Sequence, residues 1–138
     1  MAGPISITSG LVALAAFAFQ SSKNLYQVVQ SFKSNQRAIR ELKEELEALD
    51  GVLQSLQQAA KDSDADLQGL ELPVLRCGKA CADFQAMIVN CTAHSGGSRT
   101  SFRDWAKLKY MGEDIAGFRN MLAGYKSTIS IALGGANL

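Results

Sequence analysis

Apolar residues recur along this chain in alternating steps of three and four. Ile39, Leu42, Leu46, Leu49, Leu53, Leu56 and Ala60 form one unbroken series. Val74, Cys77, Cys81, Phe84, Ile88 and Cys91 form a second. Leu108, Met111, Ile115, Phe118, Leu122, Tyr125, Ile129 and Ala132 form a third. Near the N-terminus the same step runs through Leu11, Ala15, Ala18, Ser22, Leu25, Val29 and Phe32. Such spacing places these residues along one side of a helix, as in the seam between packed helices. The pattern predicts helices near residues 5–33, 35–63, 72–93 and 101–133. Short connections favour an all-α, antiparallel four-helix bundle. Its expected core includes Ile39, Leu42, Leu46, Leu49, Leu53, Leu56, Cys81, Phe84, Ile88, Leu108, Ile115, Phe118 and Leu122.

Boundary residues agree with these four segments. Ser34 and Asn35 suit an N-cap for the second helix, and Pro73 suits the first turn of the third. Ser101-Phe102-Arg103-Asp104 resembles a capping box, and Gly134-Gly135 suits a C-terminal stop. His94–Thr100 reads as a loop. Gly78, Gly112, Gly117 and Gly124 fall inside predicted helices, where each costs roughly 0.5–1 kcal/mol against alanine. Two explanations are open. The glycines let helices approach closely, or they keep the bundle marginal enough to open.

Composition narrows the class without naming a function. The chain has 138 residues, 47% of them hydrophobic and 20% charged, which suits one folded domain. Only two prolines are present, which argues against a turn-rich sandwich or barrel. Net charge is +1, so bulk charge gives no argument for nucleic acid. The charge is segregated, however. Residues 35–71 hold four bases and nine acids, whereas residues 1–34 hold two lysines and no acid. Arg37–Glu41 and Arg40–Glu44 are spaced to pair on the second helix.

Little in the sequence points to catalysis. One histidine, no phosphate-loop motif and no calcium-loop motif argue against an enzyme. The carboxylates around Glu41–Asp50 read as a solvated helix face. The three cysteines fall on the helix seam, where cysteine acts as a small apolar residue, and neither a disulfide framework nor a zinc site is expected. No cofactor is implied. Arg99, Arg103, Lys107 and Lys109, with Trp105 and Tyr110 among them, form the one basic patch with aromatics. It suits the bundle end, or phosphates of lipid headgroups or of nucleic acid.

The N-terminus is the unusual feature. Residues 1–22 carry no charged side chain, and Gly10 to Phe19 is an unbroken run of apolar residues and glycine. A membrane span needs about 20 apolar residues. Serines and Gln20 dilute both flanks, which favours a buried bundle helix. A membrane anchor and a removable signal remain as alternatives. Ala16-Phe17-Ala18 mimics a cleavage site, but no basic residue precedes the run.

Several motifs, in order, are similar to one family. Gly3-Pro4-Ile5-Ser6-Ile7-Thr8-Ser9-Gly10-Leu11 resembles the "DPLSI-x-x-S-hydrophobic" opening of the fungal HeLo-like domains. Those domains stand at the N-termini of NLR-like (STAND) receptors and related cell-death proteins. Glu41-Leu42-Lys43-Glu44-Glu45-Leu46-Glu47-Ala48-Leu49 resembles their "L-x-x-E-L-x-x-L" helix. Leu72-Pro73-Val74-Leu75 with Cys81 resembles "L-P-x-L…C". Trp105, Asp114-Ile115, and Leu122 through Ile129 resemble the C-terminal helix. The chain departs at Gly3, where the family has an acid. The resemblance covers essentially all of residues 1–138, as a single domain at the head of a longer protein. That protein would continue into a nucleotide-binding and repeat region or an amyloid motif.

The resemblance implies a membrane-targeting cell-death effector of fungal innate immunity or heterokaryon incompatibility. Its architecture is similar to the four-helix bundle of the mixed-lineage-kinase-like pseudokinase. Such a module would rest in the cytoplasm, self-associate on activation, and permeabilise the plasma membrane. Anionic lipids would be its partners, and nucleic acid would not. The first helix, about 42 Å long if about 28 residues are helical, is the expected inserting element, through Leu11, Val12, Leu14, Phe17 and Phe19. Lys23, Lys33, Arg99, Arg103, Lys107 and Lys109 are the expected headgroup contacts. The alternative is a homotypic adaptor or oligomerisation module without membrane activity.

Overall fold

The computed structural model describes residues 3–32, 36–62, 67–94 and 108–136. Within them lie α1 (Gly3–Ser31), α2 (Arg37–Lys61), a 3₁₀ turn (Gln68–Leu70), α3 (Glu71–His94) and α4 (Ile115–Ala136). The predicted all-α bundle is what the chain forms.

The seam of α2 behaves as its spacing demands. All seven of its members, from Ile39 to Ala60, are buried. The seam of α1 is buried at Leu11, Ala15, Ala18, Ser22, Leu25 and Val29, with Phe32 half-buried. On α3, Val74, Cys77, Cys81, Phe84 and Ile88 are buried and Cys91 is half-buried. On α4, Ile115, Phe118, Leu122 and Ile129 are buried. Phe84 and Phe118 stack across α3 and α4 with ring centroids 4.1 Å apart. Leu67 and Leu70, on a stretch read as plain connection, are also buried and close the bundle beneath α1 and α3.

Around the bundle the helices run α1, α2, α4, α3, so α2 and α3 sit on a diagonal. Ser22 meets Asp50 and Tyr26 meets Glu47, which sets α1 and α2 antiparallel. Arg119 faces Glu41 and Lys126 faces Glu45, which sets α2 and α4 parallel. The chain therefore alternates direction from helix to helix, while the diagonal crossing from α2 to α3 makes two neighbouring pairs parallel.

The last helix starts later than its spacing suggested. Tyr110 and Glu113 exchange two backbone hydrogen bonds, at 2.8 and 2.9 Å, around a two-residue turn. Met111 and Gly112 both take positive φ there, 53° and 83°, as a type I′ turn requires. Gly112 thus belongs to a turn and not to a helix interior. Met111 is 78% exposed, against its expected place on the seam, and Leu108 is half-buried on the core's edge. Asp114 supplies the N-cap: its Oδ1 accepts the Gly117 N–H at 2.9 Å. Ser101–Asp104, the expected cap, lies outside the described residues. So do Ser34 and Asn35; α2 begins after Gln36, which makes no side-chain cap bond. His94 ends α3 and does not open a loop, and α4 continues through Gly134 and Gly135 to Ala136.

Candidate functional site

The candidate site is α1 with the faces it shares. Leu11, Ala15 and Ala18 point into the core, and small residues at two of these positions bring neighbouring backbones close. Gly78 of α3 is the clearest product of that closeness. A Cβ there would stand 2.6 Å from the Phe17 ring and 3.0 Å from the Ala18 Cα. Of the glycines in helix interiors, Gly78 therefore answers to close approach. Gly124 faces open space, and Gly117 abuts only the Glu113 side chain.

The five expected insertion residues divide. Leu11 is buried, Val12, Leu14 and Phe19 are half-buried against the core, and Phe17 is 41% exposed. Phe17 lies over Gly78, so its outer face is left to solvent. The run is thus only partly consumed by the bundle.

Below the run α1 turns polar. Ser21 and Ser22 are the buried polar residues of the described chain. Ser22 donates to Asp50 Oδ1 at 2.7 Å, a charge-assisted bond between α1 and α2. Burial raises the Asp50 carboxyl above its ordinary value, and the Ser22 bond and Lys23 oppose that rise. Tyr26 donates to Glu47 at 3.3 Å. Sequence reading placed Ser22 on the seam but had no means of finding its partner 28 residues away.

Only two of the six headgroup candidates lie among the described residues. Lys23 stands 5.5 Å from the Phe19 ring centroid, an exposed cation over an aromatic face. Lys109 is exposed before the turn that leads to α4. Lys33, Arg99, Arg103 and Lys107, with Trp105, lie outside the described residues. Tyr110 of that patch is held inward. Its hydroxyl donates to Asp83 at 3.0 Å, and its ring meets Phe118 edge-on. Burial first, and the Asp83 bond second, push its phenol up to about 12.

Two of the three cysteines lie in the core, and Cys91 packs at its edge. Cys77 and Cys81 are buried one turn apart, and Cys81 is held protonated by its bond with Cys77 and by burial. Among the described residues, no cluster of three metal-ligating side chains occurs. The acids of α2 are largely engaged. Arg37 meets Glu41 at 3.0 Å, as spaced, and Arg119 also approaches Glu41. Lys126 stands 2.8 Å from Glu45 Oε2, a charge contact without hydrogen-bond alignment.

Among the described residues, no helix is long and apolar enough to cross a membrane. At 29 residues α1 has the length, about 44 Å, but not the unbroken apolarity. No curated protein and no solved structure matches the chain. The family model described as pigment biosynthesis cluster protein PigL, N-terminal, matches residues 2–138, and the chain therefore belongs to the PigL N-terminal family.

Proposed function

We propose that this chain is a membrane-acting effector module of the HeLo-like kind, and that α1 is its working element. The carrying observation is the apolar surplus of α1. No charged side chain occurs in residues 1–22, yet Val12, Leu14, Phe17 and Phe19 are only partly used by the core. A helix apolar beyond its packing stripe suits a second apolar environment. Because α1 is not apolar enough to span, it enters the headgroup–acyl boundary as a wedge, and several copies together open the bilayer. On this reading the module rests in the cytoplasm, self-associates when a C-terminal sensing region triggers it, and acts at the plasma membrane in regulated cell death.

The test is dye leakage from vesicles of phosphatidylserine and phosphatidylcholine. The intact chain is compared with one lacking residues 1–20 and with Leu14→Lys, after circular dichroism confirms that each is helical. Leakage from the intact chain alone supports the proposal. Leakage from a folded Leu14→Lys protein removes α1 from the mechanism. No leakage from any of them, together with salt-sensitive self-association in light scattering, favours the homotypic adaptor, in which exposed acids of α2 such as Glu44 meet a basic face of another copy.

A further inference from the structure

We propose that the resting bundle docks on an anionic bilayer through the outward face of α3, joined by Phe17 of α1. The inference rests on the membrane reading above and adds the surface that makes first contact.

α3 carries two stripes at bundle spacing. One faces the core. The other runs through Leu72, Leu75, Lys79, Ala82, Ala86 and Val89, in steps of three and four. A bundle helix needs one such stripe. The second stripe has no partner among the described elements, and its large members are open: Leu72 is 52% exposed, Leu75 41% and Val89 49%. Phe17 extends this face across the groove, since its ring lies on Gly78, one turn from Leu75. Exposed large apolar side chains gathered on two helices mark a contact site.

Charge selects the occupant. Lys79 sits in the middle of the stripe and is exposed, as is Arg76 on its flank. Neither acid of α3 is as exposed as these two cations. Glu71 is half-buried at the helix start, and Asp83 accepts the Tyr110 hydroxyl. Among the described residues, the exposed charged side chains of α3 are thus both basic. α2, with five acids and four bases, is diagonal to α3. An anionic surface would attract the exposed Lys79 and Arg76 of this face. The apolar side chains would then enter the headgroup boundary while Lys79 and Arg76 reach phosphates on their flexible stems. A second copy fits less well. Two such stripes packed in parallel would set Lys79 against Lys79, and packed antiparallel would leave them within a turn of each other.

Binding is measured by flotation with vesicles of phosphatidylserine and phosphatidylcholine and, separately, of phosphatidylcholine alone. Leu75→Glu and Lys79→Glu change exposed positions, and circular dichroism checks that each folds. Each is expected to weaken binding to the anionic vesicles about tenfold. Lys61→Glu, the same charge change at the end of the diagonal helix, should stay within about twofold. Wild-type affinity in both α3 variants, equal binding to neutral vesicles, or an equal loss in Lys61→Glu would overturn the proposal. So would a lipid-free dimer, seen by sedimentation, that Leu75→Glu dissolves, because a second copy would then cover the face. The two readings separate by leakage. Binding through α3 without leakage keeps the docking face and rejects the wedge. Leakage that depends on Leu14 but not on Leu75 or Lys79 keeps the wedge and rejects the face.

Discussion

α2 and α1 lie side by side in the bundle, and their sequences answer to different demands. Every large apolar residue on the seam of α2 is buried, and its exposed face is charged or polar apart from Ala48 and Gly51. Beside its seam α2 has a half-buried Val52, and it leaves no large apolar residue exposed. α1 has alanine or serine at three of its seven seam positions, and carries phenylalanine, leucine and valine beside the seam. Its apolar content exceeds its packing need. α3 shares this excess on its outward stripe. The difference separates a helix that only holds the fold from helices whose surfaces are suited to something further.

The largest effect that can break this comparison is in the core. Leu49→Ala, in the seam of α2, should cost about 2–5 kcal/mol in urea unfolding. Phe17→Ala, on the excess face of α1, should cost about 1 kcal/mol while weakening vesicle binding. Equal costs would show that Phe17 is core and that α1 has no surplus. Next is the joint between α1 and α3. Gly78→Ala should cost about 1–3 kcal/mol, because a Cβ there meets the Phe17 ring and the Ala18 backbone. Hydrogen exchange should accelerate in α1 more than in α2; a uniform change would deny that Gly78 secures α1 in particular.

Smaller gains come from glycines with open space around them. Gly51→Ala in α2 and Gly124→Ala in α4 should each add about 0.5–1 kcal/mol, since neither Cβ meets anything. If leakage needs the bundle to open, the double variant should leak more slowly although no membrane-facing residue has changed. Unchanged leakage at higher stability would place the wedge outside any opening step.

The smallest effect is electrostatic and lies between α1 and α2. Asp50 is raised above its ordinary value of 3.8, so the folded state holds its proton more tightly than the unfolded state does. Its contribution is complete below that ordinary value and is lost as pH rises through the raised one. Stability from this group should therefore increase on acidification toward the ordinary aspartate range. Asp50→Asn should flatten that part of the urea-midpoint profile, and an unaltered profile would assign the pH dependence to other carboxyls.

Much of this was legible in the chain. The seven-residue seam of α2 was readable to the residue, because a regular helix turns periodicity directly into a burial direction. The seams of α1 and α3 were readable for the same reason, as was the Arg37–Glu41 pair. The start of α4 was not. Leu108 and Met111 continue the seam spacing, but Asp114 caps a helix that begins after them, and the turn at Met111-Gly112 interrupts the register. Half of the candidate surface was visible as the apolar run of α1. The other half, the outward stripe of α3, has the same period as the inward one. Spacing alone does not say that both exist until one of them is seen to be buried.

What the sequence determined by itself is the class of the fold and the inward side of most helices, since both follow from local geometry. Only the tertiary structure decided which helices adjoin. Periodicity assigns an angle around one helix axis and carries no information about the neighbour at that angle. Hence the diagonal placement of α2 and α3, the seat of Phe17 on Gly78, and the bond from Ser22 to Asp50 were set by packing. Those long-range choices leave Phe17 of α1 and Leu72, Leu75 and Val89 of α3 exposed.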